Sequence, residues 1–526
     1  MTEALNPFEP SYWKNLKLSE SDLDSLSSHL LEKESPATVD ELAEILIQQH
    51  IERFEASSNG TKGPAVPYLP EGSYQVGQAL SFSHLDGTTG TVSKVRAAQT
   101  LPGQHFKAVQ VEFDDGKQRE YAAELAEHAL NDVPEPEPEE EEVDPVAELV
   151  AEQGGIVAAE LEASLQENAD FVYIAGRWFL KALTSDFSEG QLNLAEAVLD
   201  MIGGGPLSTE EILKEVGGPE GIHPNLASFS LDLALQDDER FDEVGTAGVV
   251  AWFLQRLEPK DVLETPLFLR YEEIPVDRSK LTPEMLELEE YLYDELSPIS
   301  AEPVERDEVE IRLIFPHWRS GSLPLTKSLE KLFPTAYESP RVRFEFVDKQ
   351  SGKRYPGWVV RNERYIDGLR KWYTDRELMP GSYVKARRGD TPGEIIVDAQ
   401  AHHSSKEWVR TALIGADGGV VYAMLKQPVQ CAFDDRMMVY LPSDISVLDK
   451  AWESRQRNLD QVVFKSVRDL AKLSPQQHAH ASEIYAAVNV VKRCPPGPIL
   501  ALLLSHPEIE EVGHLHFRIK GEHEEG

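Results

Sequence analysis

The chain has 526 residues, with 51 Lys/Arg against 92 Asp/Glu and a formal net charge of −41. That length exceeds what one hydrophobic core serves, and 41% hydrophobic content is too high for a disordered acidic chain, so several folded domains are expected. Two cysteines exclude a disulfide framework, no apolar run reaches membrane-spanning length, and the acidic bulk disfavours loose DNA binding; a cytoplasmic protein with local, patch-like contacts is expected.

Residues 1–57 read as a helical hairpin. Ser19-Glu-Ser-Asp22 starts one helix, with Leu23, Leu26, Leu30 and Leu31 at helical spacing, and Thr38-Val-Asp-Glu41 starts the next, with Leu42, Ile45, Leu46 and Ile51 on one face. Residues 70–128 hold short alternating strands with expected turns at Asp86-Gly87, Thr89-Gly90 and Asp115-Gly116, which predicts a small barrel. Its order of Gly, Phe and Val positions resembles the Tudor/SH3-like modules of helicases and transcription-coupling factors. That resemblance implies contact with protein, RNA polymerase being the candidate. Residues 129–146 include DVPEPEPEEEEVDP, which cannot bury a core and reads as an extended, self-repelling linker.

A helix end followed by a strand, a Gly-containing turn and an aromatic strand then recurs three times, in the manner of a winged helix. Residues 190–258 carry the fullest copy and residues 456–520 a similar one, while 147–185 reads as degenerate. The set resembles the HARE-type winged helices, including the acidic N-terminal domain of the bacterial RNA polymerase delta subunit. A DNA-reading helix needs cations for phosphates and Arg, Asn or Gln for bases. The middle copy offers Asn225, Ser228, Ser230, Asp232 and Gln236 before an acidic wing, so protein docking or mutual packing is the expected role. Residues 259–305, acidic and rich in proline, read as a connector with one helix from Pro283 to Glu295.

Residues 306–400 reverse the charge, with 17 Lys/Arg against 13 Asp/Glu between Glu308 and Asp398. Strand signals bounded by Gly, Pro and Asp predict a compact, mainly β domain. The stretches LPLTKSLEKLFP (323–334), GKRYPGWVVRNERY (352–365) and GLRKWYTDRELMPGSYVKARRGD (368–390) resemble the pseudobarrel DNA-binding domain of plant auxin-response-type transcription factors. The same fold serves as an effector domain in certain restriction endonucleases. The resemblance implies two loops that grip the major groove, placed here at Trp318–Ser322 and Arg361–Arg364. Its expected DNA contacts are Arg319, Ser320, Ser322, Arg361, Asn362 and Arg364, with Lys385, Arg387 and Arg388 adding phosphate contacts; Glu363 departs from such a pattern. Trp358 and Trp372 are expected in the core. Residues 401–455 read as an accessory β unit.

No phosphate-binding glycine loop, nucleophile elbow or H-E-x-x-H motif is present, and the pairs His402-His403, His478-x-His480 and His514-x-His516 lack further close ligands, so neither a metal nor another cofactor is expected. The expected fold class is multidomain α+β: a helical N-terminus, an SH3-like β-barrel, repeated winged helices and a seven-stranded-type β pseudobarrel. The expected function is that of a non-enzymatic, DNA-associated protein in transcription or its regulation, whose pseudobarrel meets duplex DNA and whose other modules dock proteins. Two alternatives are a protein-binding scaffold without DNA affinity and a specificity subunit of a restriction-type defence system.

Overall fold

The computed structural model describes residues 6–58, 65–82, 85, 88–98, 106–113, 117–126, 128–131, 145–246, 248–298, 307–401, 406–442, 444–454 and 457–521. They fall into two units, Met1–Leu183 and Thr184–Gly526.

In the first unit, α1 (Pro10–Lys14) and α2 (Glu20–Lys33) precede α3 (Val39–Ser58). The start of α3 is fixed by a reciprocal cap: Thr38 N donates to Glu41 Oε2 at 2.7 Å, and Glu41 N donates to Thr38 Oγ1 at 3.2 Å. A five-stranded sheet follows, β1 (Val66–Pro67), β2 (Ala79–Phe82), β3 (Thr88–Ala98), β4 (Phe106–Phe113) and β5 (Gln118–Ala123), ordered as in the chain. Its core holds Tyr68, Tyr74, Leu80, Phe82, Val109 and Val111. Thr89-Gly90, expected as a turn, instead lies inside β3, where a Cβ on Gly90 would stand 2.5 Å from the Val111 side chain. The other two expected turns and residues 132–144 of the linker lie outside the described residues. Then come α4 (Pro145–Glu167), β6 (Phe171–Ile174) and β7 (Arg177–Leu180).

The N-terminal hairpin and the copy read as degenerate are one module. Leu46, Ile47 and Ile51 of α3 share a core with Leu149, Val157 and Ala158 of α4. Ala37, just before α3, forms an antiparallel bridge with Trp178 of β7, with mutual backbone bonds of 3.1 and 2.7 Å. The result is a complete winged helix, α2–bridge–α3–α4–β6–β7, with the small sheet domain inserted between its second and third helices. The sequence pattern looked truncated because its first two helices stand more than a hundred residues upstream of its wing.

The second unit opens with the copy α5 (Glu189–Met201), β8 (Leu207–Ser208), α6 (Thr209–Val216), α7 (Pro224–Gln236), β9 (Phe241–Glu243) and β10 (Ala251–Leu254), its sheet ordered β8-β10-β9. Reciprocal Ser188/Gln191 and Ser208/Glu211 caps set the starts of α5 and α6. The connector holds α8 (Lys260–Leu263) and α9 (Pro283–Leu292).

Next comes the pseudobarrel: β11 (Glu308–Arg312), α10 (Phe315–Ser320), β12 (Ser322–Pro324), α11 (Lys327–Leu332), β13 (Arg341–Asp348), β14 (Arg354–Val360), β15 (Tyr365–Asp367), α12 (Arg370–Asp375), β16 (Tyr383–Arg388) and β17 (Glu394–Asp398). Its seven strands run β11-β16-β17-β13-β14-β15-β12 and nearly close, with β13 and β17 parallel and the other neighbours antiparallel. The alternation of β13, with Val342, Phe344 and Phe346 inward, fills the barrel together with Leu323, Trp372 and Val384. Trp358 is buried too, packing edge-on to Phe253 of the preceding wing at 5.3 Å.

A hairpin, β18 (Lys406–Ile414) and β19 (Val420–Pro428), and α13 (Ser446–Ser454) lead to the last winged helix: α14 (Leu459–Ala471), β20 (Ala479–His480), α15 (Ala481–Val491), α16 (Pro496–Ser505), β21 (Ile509–Gly513) and β22 (His516–Ile519). Its sheet order, β20-β22-β21, repeats that of the middle copy. One continuous core joins this module to α9, to Ile314 and Phe315 of the pseudobarrel and to Tyr422 of the hairpin. No helix among the described residues is long and apolar enough to cross a membrane.

Candidate nucleic-acid interface

The first expected gripping loop is a short helix, α10, that spans the gap between the barrel's two edge strands. Pro316 favours its first turn, and Gly321 ends it at φ 77°, where a Cβ would meet the Arg370 backbone at 2.7 Å. Winding this stretch into a helix turns its side chains inward. Ser320 and Ser322, expected as DNA contacts, are both buried. Ser322 Oγ lies 2.9 Å from His317 Nδ1, and its carbonyl accepts from the Tyr373 hydroxyl at 2.7 Å. Arg319 forms a bidentate pair with Asp449, at 2.9 and 2.6 Å, which holds its guanidinium pKa up.

Behind α10 lies a closed network. His317 Nε2 stands 3.1 Å from Glu295 Oε1; Arg493 donates to Glu295 at 2.6 Å and to Asp294 at 2.6 and 2.8 Å; the Tyr485 hydroxyl donates to Asp294 at 2.5 Å. All five side chains are buried. Burial alone would raise the Glu295 carboxyl, but Arg493 and then His317 outweigh it and leave the group well below the usual carboxylate range. Pseudobarrel, connector and last winged helix are thereby joined through charge. Sequence reasoning missed these residues because they lie on three segments and no local spacing relates them.

One arginine of the second expected loop and one of the basic turn converge on the C-terminal end of α11. Arg361 Nη2 donates to the carbonyls of Phe333 at 3.2 Å and Pro334 at 2.8 Å. Arg388 Nη2 donates to the Lys331 carbonyl, and its Nε reaches the Leu332 carbonyl at 3.5 Å. A helix end leaves carbonyls without intrahelical partners, and cations suit its partial negative charge. Burial pushes the Arg361 guanidinium pKa down. Arg364, in the left-handed region at φ 57°, donates to the Glu295 carbonyl at 3.2 Å. Lys385 lies 3.5 and 3.8 Å from Glu308 and Glu310 of the neighbouring strand, and Arg387 sits opposite Glu308 and donates to the Arg388 carbonyl at 3.2 Å. Asn362 is exposed.

Arg354 and Arg376 pair with acids inside the island, but three further arginines reach outside it. Arg341 pairs with Asp242 at 2.5 Å and Glu258 at 3.1 Å, Arg370 with Asp261 at 3.2 Å, and Arg312 with Asp434 at 3.2 Å while stacking 4.0 Å over Tyr291. Every one of these acids lies outside the island. A local cationic excess answered by acids elsewhere in the same chain is what an intramolecular interface leaves in a sequence.

The winged helices offer no cation where a reader needs one: α4, α7 and α16 contain no Lys or Arg. The exposed face of α4 carries Glu148, Glu152, Ile156 and Glu160. His478, His480 and His516 do come together, with ring centroids 4.5 and 5.0 Å apart across the β20–β22 pairing. Among the described residues, no group of three His, Cys, Asp or Glu is placed to hold a metal ion, and His402-His403 lie outside them. In the first unit, the Tyr12 hydroxyl, His50 and Asp22 form a chain of 2.6 and 3.1 Å beside Arg53, but burial and then Asp22 raise the Tyr12 pKa, the reverse of what an activated nucleophile needs.

No protein-family model, curated protein or solved structure matches this chain. The pseudobarrel architecture is present, and its likeness to the auxin-response-type domain rests on the quoted stretches alone.

Proposed function

We infer that the chain is a non-enzymatic docking scaffold without intrinsic affinity for duplex DNA. In this reading the pseudobarrel organises the second unit, and the acidic winged-helix surfaces receive a basic protein partner. The observation that carries it is the commitment of the gripping arginines. Arg319, Arg361, Arg364 and Arg388 are held by the chain's own carboxylate or carbonyls, so meeting phosphates would cost those contacts. The absence of Lys and Arg from α4, α7 and α16 supports the same reading, because phosphate neutralisation supplies most non-specific affinity.

The test is a fluorescence-anisotropy titration of the full chain with mixed-sequence duplex DNA at low and physiological salt. The expected result is no saturable binding at either salt. Binding at low salt that weakens steeply as salt rises, and that Asn362→Ala/Arg364→Ala abolishes, would overturn the reading and restore a DNA-contacting pseudobarrel.

A further inference from the structure

We propose that the outer edge of β19 is a self-association surface, on which a second copy of this chain pairs its own β19 in antiparallel fashion about a two-fold axis through Ala423.

The β18–β19 hairpin is lopsided. On the β18 side, the chain covers its own edge: Ala412 N donates to the Tyr440 carbonyl at 2.9 Å and Tyr440 N to the Arg410 carbonyl at 2.8 Å. On the β19 side, among the described residues, 421–427 make no backbone hydrogen bond except to β18. Only at its start is the edge approached, where Lys465 Nζ donates to the Val420 carbonyl at 2.6 Å. An open row of backbone donors and acceptors is a template for another strand, and proteins that avoid such pairing keep the row short, charged or covered.

Here the free row is apolar. Val421 is 51% exposed and its cross-strand neighbour Leu413 47%, with Leu425 exposed on the same face, and Trp408 on the other face is 62% exposed. Single exposed apolar residues are ordinary, but a stripe along one unpaired edge is not.

The pattern along β19 identifies the occupant. Antiparallel pairing centred on Ala423 sets Val421 against the partner's Leu425, so exposed apolar residues meet on one face, while the Tyr422 side chain stays in the chain's own core. Lys406, Glu407 and Lys426 stand at the hairpin's open end, and Asp417 at its turn, where Arg457 and Lys465 also reach the backbone. In this register Lys426 of each copy lies opposite Val420 of the other, and within the paired strands no two charged residues face each other. Residues 406–428 hold three basic and two acidic residues in a chain of net charge −41, so repulsion between copies is weakest here. A two-fold interface needs a self-complementary patch, and this strand supplies one.

The experiment is the molar mass of the full chain in solution, by sedimentation or light scattering from low to high micromolar concentration at physiological salt. A mass rising to that of two chains is expected. The double variant Val421→Lys/Leu425→Lys places lysine against lysine across the axis and should return the mass to one chain with an unchanged melting temperature, since both side chains are exposed. Val512→Lys, at an exposed apolar position on the last wing, should leave the dimer intact. A single-chain mass at every concentration, or a dimer that survives the double variant, overturns the proposal and leaves the edge to a strand from another protein.

Discussion

The first and last winged helices share a topology, in which a short strand or bridge before the second helix joins a two-stranded wing. Their third helices nevertheless meet opposite fates. In the last copy α16 carries no charged residue and is packed under the connector, close enough that a Cβ on Gly497 would stand 3.2 Å from Glu289 Oε1. In the first copy α4 leaves a face of glutamates in solvent. The middle copy lies between them: α7 is largely buried, and its wing packs against the pseudobarrel through Val244, Phe253 and Trp358. The scaffold of a winged helix therefore does not decide what its third helix does. An apolar third helix draws the rest of the chain over itself, and a charged one stays available.

The sharpest way to break this comparison is Arg493→Ala. In the last copy that guanidinium is the cationic partner of the buried Asp294 and Glu295, and removing one partner of a buried pair leaves charge without solvent or counterion. A loss of about 3–5 kcal/mol in urea unfolding of the second unit is expected. The combination Asp294→Asn/Glu295→Gln/Arg493→Met removes all three charges and should recover most of that loss. A single-variant loss of the size usual at surface sites would mean that the network does not hold the last copy in place.

In the middle copy the corresponding weak point is Asp232, buried within α7. It accepts from Thr209 Oγ1 at 2.5 Å and Trp252 Nε1 at 2.9 Å, yet burial pushes its carboxyl up to about 7. The folded state thus favours the protonated form. Its contribution is complete below the unfolded value of about 3.9 and is lost as pH rises through about 7. Asp232→Asn keeps the accepting oxygen without the charge. It should match the parent at pH 4 and exceed it by about 4 kcal/mol at pH 8, read from denaturation at the two pH values. Equal stability at both would show that the site is not held in the neutral form.

How much of this was legible in the sequence follows from how far apart the cooperating residues lie. Serine caps such as Ser188/Gln191 and Ser208/Glu211 act across three residues, and the wings and the alternation of β13 are equally local, so helices, wings and barrel strands could be read directly. The first winged helix could not, because Leu46 and Val157 are separated by an inserted domain and only the fold reunites them. The candidate site was only partly legible for a related reason. Arg319, expected to face DNA, pairs with Asp449, while Arg341 and Arg370, which carried no expected role, pair with Asp242 and Asp261, and no spacing in the chain announces those pairings. The sequence did carry the absence of cations from the third helices, because a helix without lysine or arginine has none in any fold.

A smaller and opposite pH effect separates the last copy from the other two, which have Ala37 and Leu207-Ser208 where it has Ala479-His480. Burial first, then Arg436 and His516, hold the His480 imidazole down to about 4. The unfolded chain takes up this proton near pH 6.5 and the folded chain does not, so stability falls as pH drops from about 6.5 to 4. Allowing for partial solvent screening, about 1 kcal/mol is expected. His480→Gln should flatten that part of the stability–pH curve, and an unchanged slope would assign it to other groups.

The smallest expected effect probes the exposed helix itself. Gly154 and Gly155 interrupt α4 in mid-helix, where glycine costs backbone entropy that alanine does not. A Cβ on Gly155 would meet nothing within 4 Å, so neither packing within the chain nor backbone geometry requires glycine there. Gly155→Ala should raise the stability of the first unit by about 0.5–1 kcal/mol, measured by thermal or urea unfolding. The gap left beside Ile156 also lies on the face that carries Glu148, Glu152 and Glu160, where a partner's backbone would approach. If α4 is a docking helix, the same methyl group should weaken partner binding while strengthening the fold. A variant that gains stability and keeps full affinity would move the docking surface elsewhere and remove the functional contrast between the first copy and the last.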